Sequence, residues 1–189
     1  MRQVVLDAAV ELLIEHGAGE VTASRVGKET GVARTTIYRH WPDQPSLLLD
    51  AVGTLVAPHA PTTITDDLEA DLIMVLSNLR TRMVKRAFRQ VFAALLGYAN
   101  QDRTFVAAQQ RFANGVLQQI HDVLTAAVDR NELPPTLAVD EACAALAGPL
   151  FHQHIMLRAR ISDDLITSTV RRFLNSTPET PSEPEEPTS

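Results

Sequence analysis

The stretch TASRVGKETGVARTTIYRHW, Thr22 to Trp41, decides the fold. Thr22 suits an N-cap, because its hydroxyl can accept from a free N–H of the first turn. A short helix is expected from there to about Glu29. Gly31 fits a tight turn. A second short helix is expected from about Ala33 to His40, ended by Pro42-Asp43. Two short helices about such a turn form a helix-turn-helix. Val26, Val32, Ile37 and Trp41 are spaced to hold the pair against the helix before it. Arg34, Thr35, Tyr38 and Arg39 then face outward, as in a helix lying in the major groove of DNA. Arg34 can fork onto guanine, and a threonine methyl can meet that of thymine. Four basic residues against Glu29 give this stretch a local charge of +3. Phosphate contacts need cations only where they occur. The bland alternative is a three-helix bundle with a solvated basic face.

Outward from this segment, the helical period dominates. Val5, Ala9, Leu12 and Leu13 share one face of a first helix, with Asp7, Glu11 and Glu15 away from it. Gly17 and Gly19 end it. Asp43 can cap a fourth helix reaching about Ala57. Pro58 to Thr63 reads as a linker. Longer helices are expected at roughly 66–83, 86–99, 102–131, 138–159 and 162–175. Asn100-Gln101-Asp102 and Asn131 to Pro135 are the breaks between them. Ser162 caps the last helix, and Asp163 and Asp164 match its dipole. The expected division is 1–57 for the helix-turn-helix region, 58–65 for the linker, 66–175 for a helical second domain, and 176–189 for an acidic tail. That tail has four prolines, four glutamates and no large apolar residue, so it is expected to be disordered. The fold class is all-α, with about nine helices.

Composition narrows the function. The 189 residues are 45% hydrophobic and carry a net charge of -6. That charge argues against a protein that coats nucleic acid indiscriminately, but not against a local basic face. The single cysteine, Cys143, rules out an intrachain disulfide and fits a reducing cytoplasm. No signal peptide and no membrane-length apolar run is apparent. A soluble cytoplasmic protein is expected. No catalytic or dinucleotide motif occurs, so neither an enzyme nor a cofactor is expected. His152 and His154 lie at i, i+2, on different helix faces, so no metal site is expected there.

The pattern T-x-x-x-[VI]-[AG]-x-x-x-G-V-x-x-x-T-[IL]-Y-x-H-[FW] is very similar to the DNA-binding signature of the tetracycline-repressor (TetR) family. Thr22, Val26, Gly27, Gly31, Val32, Thr36, Ile37, Tyr38, His40 and Trp41 occupy its positions. The resemblance implies a two-fold homodimer that reads a palindromic operator on double-stranded DNA. It assigns Thr22, Thr36, Tyr38 and His40 to phosphates. Ser24, Arg34 and Thr35 would face bases, with Tyr38 and Arg39 as additions. Arg25 and Gln44 complete the expected DNA-binding set. Two positions depart from the family: Ala33 stands where a Ser-like cap is common, and Gln44 where Lys is common.

The resemblance also implies a C-terminal ligand-binding and dimerisation domain. Gly148-Pro149-Leu150-Phe151, after Arg130 to Pro134, looks like a common C-terminal subtype of the family. The last two helices would pair with those of a second subunit. Ala142, Ala145, Leu146, Pro149, Leu150 and Leu157 supply one apolar stripe, and Ile166, Val170, Phe173 and Leu174 another. Gly148-Pro149 should kink its helix. A small, largely apolar effector would sit among the helices of 66–131. Met74, Phe88, Phe92, Phe105 and Phe112 are apolar candidates for its site, and Tyr98, Asn114 and Gln118 polar ones. The expected function is a ligand-responsive repressor. An activator, a ligand-blind regulator, and a helical carrier or enzyme with a vestigial helix-turn-helix are the alternatives.

Overall fold

Helix α1, Arg2–His16, buries Val5, Leu6, Ala9, Leu12 and Leu13 along one stripe. Asp7, Glu11 and Glu15 stay on the exposed side. Burying a side chain of the Leu or Val class stabilises by about 1.5–3 kcal/mol, so this stripe fixes how α1 seats. Gly17, at φ 89°, closes the helix by donating its N–H to the Leu13 carbonyl. A single 3-10 turn, Ala18–Glu20, leads to α2, Ala23–Thr30. Then come α3, Arg34–His40, and α4, Gln44–Leu55.

The chain continues with α5 (Leu68–Met83), α6 (Arg86–Ala99), α7 (Arg103–Asp129), α8 (Val139–Phe151) and α9 (Asp163–Ser176). This computed structural model describes residues 1–55, 62–99 and 103–176. Every regular element among them is helical, as the sequence implied. The expected end of α4 near Ala57, Pro58 to Pro61 of the linker, the break at Asn100 to Asp102 and the acidic tail beyond Ser176 lie outside the described residues.

Contacts divide the chain into two compact units. In the first, α1–α4 pack with α6 and with α7 as far as Val116. Its core joins Val5, Leu12, Val26, Ile37, Trp41 and Leu48 to Val91, Leu95 and Phe105. So α6, which follows the linker in sequence, belongs by packing with α1. The second unit holds α5 up to Arg80, α7 from Leu117, α8 and α9.

Local chemistry sets several ends in the second unit. Asp67 caps α5 by accepting from the Ala70 N–H at 2.9 Å. The buried Asp71 accepts from the Thr65 N–H at 2.7 Å and its hydroxyl at 3.0 Å, satisfying the carboxylate. Ser162 caps α9 through the Leu165 N–H at 3.2 Å. Asn131, at φ 60°, ends α7, and the Glu132 N–H returns to the Ala127 carbonyl. Cys143 is buried beside Asp140, and desolvation, with that carboxylate second, pushes its thiol up to about 11.

One expectation is corrected. The sequence suggested a single helix over 138–159, but α8 stops at Phe151 and gives way to a π turn, His152–Met156. Pro149 supplies no N–H to the preceding turn. The ladder beyond it widens: the Leu157 N–H reaches His152 and the Ala159 N–H reaches Gln153. Arg158, at φ 52°, then turns the chain away. Leu157, expected on the helical stripe, is therefore off the helix and 58% exposed.

Candidate nucleic-acid interface

Helices α2 and α3 are short, and the ends of α2 are set by the residues that flank it. Thr22, extended at φ -118°, accepts from the Arg25 N–H at 3.2 Å. Gly31 occupies the left-handed region at φ 73° and returns its N–H to Gly27. A Cβ on Gly27 would stand 2.9 Å from the Val32 carbonyl oxygen, so the turn approaches α2 too closely for a larger residue to enter without shifting backbone. Thr30 adds a hydrogen bond to the Val26 carbonyl at 2.7 Å and accepts from the Val32 N–H at 3.3 Å. Ala33 precedes α3 with no side-chain cap. Asp43 caps α4 by accepting from the Ser46 N–H at 2.8 Å, while the Ser46 hydroxyl donates to the Asp43 carbonyl at 2.9 Å.

The inner side of this unit is apolar and closed. Val26 and Ile37 are fully buried and Trp41 nearly so. The outer side of α3 carries Arg34, Thr35, Tyr38, Arg39 and His40, all exposed, with Thr36 half-buried. Ser24 is exposed on α2, and Thr22 is half-buried at its start. Neither Arg34 nor Arg39, nor Lys28 on α2, forms an ion pair among the described residues. Their charges are therefore available to an anion without breaking an internal contact.

Two expected contact residues are already engaged. Arg25 lies 3.1 Å from Glu20 and 3.7 Å from Glu29. Exposed pairs of this kind contribute roughly 0–1 kcal/mol, so they restrain Arg25 weakly. Gln44 donates its side-chain amide to the Ala18 carbonyl at 2.9 Å and the Gly19 carbonyl at 3.3 Å. It thus ties the start of α4 to the turn before α2.

A further cluster holds α3 in place. The Trp41 indole N–H donates to Asp50 Oδ2 at 2.8 Å, and the Arg2 guanidinium reaches the same oxygen at 2.7 Å. Arg2 also lies 5.9 Å over the Trp41 ring, within cation–π range. One carboxylate on α4 therefore fixes the residue that ends α3 and the first residue of α1. Sequence reading missed Asp50. The signal for it was available: a tryptophan placed in the core needs an acceptor for its N–H.

The expected effector residues fall into separate groups. Phe88 lies 6.2 Å from Phe92 and 5.4 Å from Phe112, ring to ring. Tyr98 stacks on the fully buried Phe105 at 5.0 Å. These five belong to the first unit, as does the exposed Asn114. Met74 and Gln118 belong to the second unit and are also exposed, with Gln118 donating to Asp122 at 2.8 Å.

The expected dimer stripes also divide. Ala142, Leu146, Leu150, Ile166 and Val170 are buried within the protomer and have no surface to offer a partner. The neighbouring register of α8 and α9 is different. Ala145, Pro149, Thr169, Arg172, Phe173 and Ser176 line a groove of about 470 Å³. Leu174 is half-buried. Among the described residues, no three His, Cys, Asp or Glu side chains gather as a metal site, and no helix is long and apolar enough to cross a membrane.

Residues 5–51 match the profile of bacterial regulatory proteins of the tetR family, and residues 63–173 match the tetracyclin repressor-like C-terminal domain. The chain belongs to the TetR family. It is an all-α helix-turn-helix transcriptional regulator, in a family of DNA-binding proteins rather than enzymes. The uncharacterized HTH-type transcriptional regulator YdeS of Bacillus subtilis is 22% identical over 169 residues, covering 89% of this chain and 85% of that protein. A TetR transcriptional regulator from Agrobacterium tumefaciens shares the fold with a TM-score of 0.75 at 16% identity, over 93% of each chain. The transcriptional regulator FadR of Bacillus subtilis, solved in complex with stearoyl-CoA, shares it at 0.60 and 18% identity, over 93% of this chain and 98% of that one.

Proposed function

We propose that this TetR-family regulator is a homodimeric repressor that occupies a palindromic operator until a small, largely apolar effector releases it. The observation that carries the DNA reading is the exposed face of α3, where Arg34 and Arg39 form no ion pair among the described residues. Arg34, Thr35 and Ser24 read base edges, with Tyr38 and Arg39 as additions. Thr22, Thr36, Tyr38 and His40 hold phosphates. Arg25 joins them after exchanging its carboxylate partners. Gln44 acts mainly by fixing the turn, and the free N–H groups at the start of α4 serve the backbone.

Dimerisation uses the groove between α8 and α9, where a second copy covers Ala145, Pro149 and Phe173. Leu157 and Leu174 extend that surface, while the buried stripe behind it holds the two helices in register. The effector favours a conformer in which the two recognition helices no longer match successive grooves. Linkage requires it to bind that conformer more tightly, by about 1–3 kcal/mol for a typical coupling. Phe88, Phe92 and Phe112 offer an aromatic surface for an apolar ligand, and the stearoyl chain of the stearoyl-CoA bound by FadR is an apolar group of that kind. Tyr98, Phe105, Met74, Asn114 and Gln118 remain secondary candidates for contact.

The test begins with selection of operator sequences from random DNA. Binding to the selected duplex is then followed by anisotropy of labelled DNA. Arg34→Ala should weaken binding and relax preference at one base position of each half-site, at a cost of about 1–3 kcal/mol. Unchanged affinity and preference would refute the assignment of α3. A reporter placed behind the operator should rise when the regulator is deleted, and a fall would refute repression.

A further inference from the structure

We propose that Lys85, the residue before α6, and Arg89, in its first turn, form a second cationic contact that grips DNA phosphates flanking the operator core. This rests on the reading that α3 docks in the major groove. The sequence from Leu72 to Gln101 contains five basic residues, Arg80, Arg82, Lys85, Arg86 and Arg89, and no acidic one. In a chain of net charge -6, that is a strong local excess. Arg80 is neutralised by Asp163 at 2.5 Å, and Arg82 donates to the Val116 carbonyl at 2.7 Å. Lys85, Arg86 and Arg89 are exposed and form no ion pair among the described residues.

The packing puts these charges at the edge of the helix-turn-helix. Arg86 donates to the Glu15 backbone carbonyl at the end of α1, keeping its charge uncompensated. A Cβ on Gly17 would lie 3.6 Å from the Gln90 side-chain oxygen. The start of α6 thus sits against the residues that enter the 3-10 turn. The carbonyls of that turn receive Gln44, and Thr22 follows it directly. Gly17 and Thr22 are five residues apart, at most about 18 Å of extended chain, and the turn shortens this.

Arg86 and Gln90 occupy the side of α6 that meets α1. Lys85 and Arg89, also four apart, share a neighbouring face. The acids beside this contact are Glu15 at the end of α1 and Glu20 in the 3-10 turn, both exposed, with Glu20 already paired to Arg25 at 3.1 Å. Two cations without an ion pair among the described residues, beside the turn that leads into α2, suit the backbone of a duplex that extends beyond the half-site.

The test uses the full chain and two duplexes with the same selected operator. One ends at the palindrome, and the other carries about ten further base pairs on each side. Wild type should bind the longer duplex more tightly, and Lys85→Gln/Arg89→Gln should lose that advantage while still binding the core. The slope of log K against log salt on the longer duplex should become shallower by about 0.9 for each phosphate contact removed. Lys85→Glu/Arg89→Glu should weaken the longer complex further. Equal length dependence and equal salt slope in wild type and variants, with core binding intact, would overturn the proposal. Failure of wild type to bind even the core duplex would overturn the docking of α3 as well, so the two failures are distinct.

Discussion

Helices α2 and α8 are both short, and both end in unusual backbone, but for opposite reasons. The ends of α2 are made by its own neighbours: Thr22 caps the first turn and Gly31 takes the left-handed position after the last. Nothing beyond a few residues is needed. The start of α8 has no side-chain cap, and its end runs past Pro149 into a π turn that finishes at a left-handed Arg158. A non-glycine residue in that conformation costs roughly 1–2 kcal/mol, which packing in the second unit must offset. The helix-turn-helix region is therefore defined locally. The end of α8 depends on packing within the second unit.

Equivalent core truncations in the two units would sharpen that contrast most. Ile37→Ala and Leu150→Ala each remove a fully buried side chain and should each cost about 2–5 kcal/mol in thermal or denaturant unfolding. Their consequences should separate. Ile37→Ala should abolish operator binding and leave the oligomeric state unchanged in sedimentation. Leu150→Ala should weaken self-association. Loss of association in the Ile37 variant, with none in the Leu150 variant, would break the distinction between the two regions.

A smaller effect is expected at the α2 cap. Thr22→Ala should cost about 1 kcal/mol of stability by exposing the Arg25 N–H. It should also weaken operator binding, because the same hydroxyl is a proposed phosphate ligand. Stability lost without affinity lost would confine Thr22 to capping.

The smallest effect concerns the tie between α5 and α9. Hydrogen bonding and charge from Arg80 hold the Asp163 carboxyl below the usual aspartate range. A carboxylate with a depressed folded value contributes its stability above the unfolded value and loses it as pH falls through the folded one. Wild type should therefore show a slightly larger loss of stability on acidification below the ordinary aspartate range than Arg80→Gln does. Asp163 is highly exposed, so the difference should be small and reduced by salt. Parallel acid titrations of the two proteins would remove this tie from the account.

What could be read in the sequence followed the same division. The caps at Thr22, Asp43 and Ser162 and the turn at Gly31 act within four residues, so they were visible from residue type and spacing. The outward face of α3 followed from the helical period alone. Interactions between distant elements were not visible. Arg2 meets Asp50 across 48 residues, and Arg80 meets Asp163 across 83. The engagement of Gln44 depends on the turn 25 residues before it. The stripe expected along 138–159 failed at Leu157 because the sequence after Pro149 contains no further breaker. Pro149 marked where the ladder would weaken, but nothing in residue type or spacing indicated that the chain would widen into a π turn and leave the helix at Arg158.

The bond from Trp41 to Asp50 gives the protein a built-in optical gauge. Trp41 is the sole tryptophan in the chain, so its emission comes from one place: the junction where α3 ends and α4 and the first residue of α1 meet. Any event that tilts α4 or frees the chain start must change the polarity around that one indole. An unlabelled sample can therefore report, by colour alone, whether an added compound or duplex has reseated the recognition helix.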